Sequence, residues 1–82
     1  MSKYLVVEYP GQYAWTEFEK GISKIFGKNE AGSGFSFATG DRDISASFKT
    51  EKDLNSAKEK VEQFANSKGV RVYMTVSEED VY

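Results

Sequence analysis

The chain has 82 residues, 39% hydrophobic and 29% charged, with eleven Lys and Arg against thirteen Asp and Glu for a formal charge of -2. That size and balance suit one globular domain and exclude a disordered chain or a broadly cationic, polyphosphate-coating one. There is no Cys and no His, which removes disulfides, thiolate nucleophiles, the soft ligands of zinc and iron-sulfur sites, and the usual proton shuttle at neutral pH.

Residues 4–9 alternate, with Leu5, Val7 and Tyr9 on one side and Tyr4, Val6 and Glu8 on the other, which predicts a first strand. The run is short and already charged at Glu8, so neither a secretory signal nor a membrane span fits, and the expected location is the cytoplasm. Pro10 and Gly11 stop it. From about 14 to 26, Trp15, Phe18, Ile22, Ile25 and Phe26 recur at helical spacing, Thr16 and Glu19 form a capping-box pair, and Gly27 supplies a C-terminal stop. Gly21 costs this helix about 1 kcal/mol relative to Ala; close approach of the helix to a sheet is the expected reason.

Residues 28–34 have no period and two glycines, which predicts a flexible loop formed by Lys28, Asn29, Glu30, Gly32, Ser33 and Gly34. A hairpin follows. Phe35, Phe37 and Thr39 alternate with Ser36 and Ala38, and Ile44, Ala46 and Phe48 alternate with Ser45 and Ser47 across an expected turn at 40–43. Thr50 and Asp53 mark a second helix start, and Leu54, Ala57, Val61, Phe64 and Ala65 make one apolar stripe down to Gly69. Val70, Val72, Met74 and Val76 alternate with Arg71, Tyr73 and Thr75 as the last strand. The single domain is thus expected over 1–76, with an acidic tail over 77–82.

The order β-α-β-β-α-β predicts an α+β, two-layer, ferredoxin-like sandwich: a four-stranded antiparallel sheet with both helices on one face. The other face then carries Tyr4, Val6, Glu8, Ser36, Ala38, Ser45, Ser47, Arg71, Tyr73 and Thr75. In the usual strand order of that fold the second and fourth strands lie at the edges, and an unprotected last strand invites pairing with another chain.

RNA-recognition motifs share this order of elements, and Gly-Phe-Ser-Phe at 34–37 resembles their aromatic strand signature. In those domains, however, the signature lies on the strand leading into the second helix, where this chain exposes Ser45 and Ser47. Glu8-Tyr9-Pro10-Gly11 is similar to the strand-to-helix turn of ACT domains, a resemblance that implies a small-ligand regulatory role. Asp41 and Asp43 are expected on a hairpin tip without enclosure or further ligands, so neither a hydrolytic pair nor a metal site follows. The glycines near Lys28 lack phosphate-loop spacing. Acylphosphatases share the fold, but the loop arginine their site requires has no counterpart before Arg42. No catalytic residue, metal site or cofactor is therefore expected.

The remaining expectation is a small protein-interaction module of adaptor or inhibitor type. Its candidate surfaces are the open face (Tyr4, Glu8, Ser45, Ser47, Arg71, Tyr73, Thr75), the last strand and the 28–34 loop. The expected partner is a protein, with self-pairing through the last strand as one form. RNA or single-stranded DNA is the alternative ligand, and a small molecule bound in the ACT manner the second alternative.

Overall fold

A computed structural model describes residues 2–79. Four strands and two principal helices occur: β1 (Ser2–Pro10), α1 (Glu17–Phe26), β2 (Glu30–Ser36), β3 (Asp41–Phe48), α2 (Glu51–Lys68) and β4 (Tyr73–Glu79). The strands form one antiparallel sheet in the order β2-β3-β1-β4, so β2 and β4 are its edges. Register follows the apolar alternation: Val7 lies opposite Ile44 and Met74, and Leu5 opposite Ala46 and Val76. A slip of one residue would turn these side chains to the other face.

The helices cover the face that carries Leu5, Val7, Tyr9, Ile44, Ala46 and Phe48. Phe18, Ile22 and Phe26 of α1 and Leu54, Ala57, Val61 and Ala65 of α2 complete the buried cluster. Thr50 caps α2 by accepting from the Asp53 N–H at 3.2 Å. Gly69 ends α2 in the left-handed conformation, with its N–H on the Asn66 carbonyl and the Val70 N–H on that of Ala65. This paired closure is the Schellman arrangement, and it buries Val70 against the core.

Several boundaries differ from the sequence reading, each for a tertiary reason. Residues 30–34, expected within a loop, join Phe35 and Ser36 in strand β2. Its small residues leave no alternation to detect, and its ladder to β3, irregular between Glu30 and Gly32, supplies the order. The hairpin turn therefore falls at 37–40, closed by the Gly40 N–H on the Ser36 carbonyl at 2.7 Å with Gly40 at φ 75. Phe37, expected in the core, stands 92% exposed in that turn. Asp41, Arg42 and Asp43, expected at the tip, belong to β3.

At the C-terminal side Val70, Arg71 and Val72 precede β4 instead of opening it, because Val70 is engaged in closing α2. Ser77, Glu78 and Glu79, expected in the tail, pair with Tyr4, Lys3 and Ser2. The remainder of that tail, 80–82, lies outside the described residues. Gly21 admits not the sheet but a helix: a Cβ there would overlap the Phe64 ring, which instead stacks on Phe18 at 5.3 Å.

Candidate interaction surfaces

The sheet face away from the helices gathers six of the seven residues expected there. Tyr4 lies opposite Ser47 and Ser77, Val6 opposite Ser45 and Thr75, and Glu8 opposite Asp43 and Tyr73. Arg71 sits outside the strand, yet with Glu8, Asp41 and Tyr73 it borders a small depression of about 100 Å³ at one end of this face. Asp41 and Asp43 share the parity of Ser45 and Ser47, so they add carboxylates beside Glu8. That face is more acidic than the sequence reading allowed. Glu8 and Asp41 beside Arg71, with Asp43 on the same face, outnumber the one guanidinium and repel a phosphate backbone, which counts against nucleic acid there.

The residues expected as a flexible loop divide in two. Lys28 and Asn29 lie in a single 3-10 turn, while Glu30, Gly32, Ser33 and Gly34 are held in edge strand β2. The Ser45 hydroxyl donates to the Gly32 carbonyl at 3.3 Å, and an Arg42 Nη2–H donates to Ser33 Oγ at 3.3 Å. Among the described residues no further strand of the sheet lies beyond β2, which carries no Pro or Lys and whose charge and bulge are confined to residues 30–32, so the edge protections do not extend along 33–36.

A second constellation lies where α1 begins. Pro10 leads into one 3-10 turn over Gly11–Tyr13, and the chain reverses at Trp15, the one non-glycine residue with positive φ (59) among the described residues. For a bulky side chain this conformation costs roughly 1–2 kcal/mol. Glu19 holds it there. One carboxylate oxygen accepts the Trp15 N–H at 2.7 Å, and the other accepts the Tyr9 hydroxyl at 2.6 Å and the Arg42 Nε–H at 2.5 Å.

Thr16 and Glu19 thus make neither hydrogen bond of the expected capping box. The glutamate reaches back to Trp15 instead of Thr16, and the Thr16 hydroxyl donates to the Tyr13 carbonyl. Trp15, expected on the apolar stripe of α1, precedes the helix and is 74% exposed, with its ring against the Arg42 guanidinium at 4.9 Å. Such a cation-π contact is worth about 0.5–1 kcal/mol near the surface.

Arg42 connects this corner to β2. It is paired across the ladder with Phe35, whose ring packs over Gly11 and lies 5.2 Å from that of Phe37. Gly11 is required there, since a Cβ would strike both the Phe35 ring and the Gly40 carbonyl. One corner of the molecule therefore presents Trp15, Arg42, Phe35 and Phe37 beside the open edge of β2.

Electrostatics are consistent with a fixed network. Burial alone would push the Glu19 carboxyl up, but hydrogen bonds from Arg42, Tyr9 and the Trp15 N–H, with the Arg42 charge, bring it below the ordinary carboxylate range. The Tyr9 hydroxyl moves far upward, first from burial and then from the adjacent Glu19 charge. The hydrogen bond to Glu19 raises the Arg42 guanidinium further. Sequence reasoning missed this corner, although one signal was present: Arg42 has the parity of Ile44, Ala46 and Phe48, and a cation on a core-facing register needs a carboxylate.

No helix among the described residues is long and apolar enough to cross a membrane. The chain matches no protein-family model, no curated protein and no solved structure at significant similarity.

Proposed function

We propose that this chain is a non-catalytic protein-interaction module with a ferredoxin-like arrangement of elements, acting in the cytoplasm and docking a protein partner at the Trp15, Phe35 and Phe37 corner beside β2. One observation carries the reading: Trp15 is 74% exposed yet immobilised, its N–H on Glu19 and its ring against Arg42. Exposed aromatics held rigid lose little entropy on binding, and Trp and Arg dominate the energetics of protein interfaces. The bare edge of β2 offers backbone donors and acceptors to an extended segment of the partner next to those anchors. Tyr4 and Tyr73 on the open sheet face provide a secondary contact area.

Recovery of partners from source cells by tagged chains tests this. Wild-type chain is expected to retain a protein that Trp15→Gly and Phe37→Ser each lose by tenfold or more, with melting temperatures within about 8 °C of wild type. Equal recovery by all three would refute the assignment.

A second reading, self-pairing through β4, has its own support: Val76 is 46% exposed on the helix-side register of that edge. An antiparallel copy pairing about Val76 would cover it. Light scattering that reports a monomer up to millimolar concentration would remove this reading.

A further inference from the structure

A concavity of about 860 Å³ lies on the opposite layer from the sheet face, between the first two turns of α1 and the end of α2. Its floor is aromatic. Phe18 and Phe64 are stacked, Tyr13 closes one end against Phe18 at 5.4 Å between centroids, and Val70 lies beneath. Gly21 keeps the floor accessible, because any side chain there would displace the Phe64 ring.

The rim has the opposite sign to the rest of the chain. Lys20 and Lys24 stand one turn apart on α1, Lys68 faces them from α2, and the only acid on the rim is Glu17, already paired to Lys20 at 3.3 Å. The Lys68 ammonium lies 5.9 Å from the Phe64 ring centroid, at the boundary of floor and rim. A local excess of two positive charges in a chain of net charge -2 marks where an anionic partner is favoured.

From this charge pattern and shape we infer that the groove receives an acidic amphipathic helix of a protein partner, its apolar stripe on Phe18 and Phe64 and its carboxylates on the flanking lysines. The lining runs along α1 from Thr16 to Lys24, about 12 Å at 1.5 Å per residue, which matches the i, i+3, i+7 anchors of a two-turn helix. A small molecule fits less well. Its sites enclose most of the ligand surface, whereas this groove is open along its length. The site is independent of the Trp15 corner, so either assignment can fail without the other.

Selection from a displayed library of random peptides of about 12 residues, long enough for the two-turn contact, tests the inference. The expected winners are acidic, with apolar residues at helical spacing. Their affinity should fall tenfold or more for the double variant Lys24→Glu with Lys68→Glu, and also on raising salt from about 0.05 to about 0.3 M. It should remain within twofold for Trp15→Gly. Amide shifts caused by the winning peptide should map to 16–24 and 64–70. Winners that ignore the double reversal, winners that bind as extended strands along β2, or no enrichment over a blank surface would each overturn the inference.

Discussion

The two faces of α1 are fastened to the molecule by different forces. Phe18, Ile22 and Phe26 are held by apolar packing, which is strong and tolerant of small shifts in position. Glu19, one residue from Phe18 and likewise buried, is held by three hydrogen-bond donors from β1, β3 and the preceding turn, an arrangement with one acceptable geometry. Packing gives this helix its stability. The polar network decides where Trp15 stands.

Removing a packing residue is the harshest way to examine that division. Phe18 touches Tyr9, Tyr13 and Phe64, and Phe18→Ala should cost about 3–5 kcal/mol in denaturant unfolding. A loss under about 1 kcal/mol would mean that α1 is not held by its apolar face.

Next in size is Glu19→Gln, which keeps the volume but leaves the Arg42 charge without its counter-ion; about 2–3 kcal/mol is expected. The same carboxylate predicts a pH dependence. Its folded pKa lies below the ordinary 4.5, so its contribution is complete above that value and drains away as pH falls through the lowered one. Wild type should therefore lose more stability than Glu19→Gln on acidification below the ordinary carboxylate range. Parallel acid curves for the two proteins would detach Glu19 from the fold. At the alkaline end the sign reverses: Tyr9 is raised from 10.0, so its contribution is intact below that value and is lost above it, a loss that Tyr9→Phe should not show.

A smaller effect separates the helix's own preference from its packing. Gly21→Ala gains about 1 kcal/mol of helix propensity, yet it forces the Phe64 ring aside, an overlap that costs about 1–3 kcal/mol. A net loss near 1 kcal/mol, seen as a lower denaturation midpoint, is expected. Stabilisation instead would show that the two helices have room to separate.

Least of all should stability respond to Trp15→Gly. Relief of the left-handed backbone offsets the lost guanidinium contact and the added freedom of glycine in the unfolded chain, leaving a change within about 1 kcal/mol. A large loss would make Trp15 a structural residue and leave its exposure unexplained.

Much of the architecture could be read from residue spacing. The succession of six segments, the inward sets Leu5, Val7, Tyr9 and Ile44, Ala46, Phe48, the α2 stripe, and its start at Thr50 and stop at Gly69 all follow their local patterns. Those features are local: a strand face repeats every second residue, a helix stripe every three or four, and a cap is recognised within one turn. What tertiary structure alone decided are events between segments. Ladder pairing to β3 made β2 out of a stretch of Ala, Gly and Ser and moved Phe37 into the solvent. A hydrogen bond spanning 23 positions joined Arg42 to Glu19, and Phe64 of the other helix accounted for Gly21. Periodicity records how often a side chain is buried; it carries no information about which distant group will meet it there.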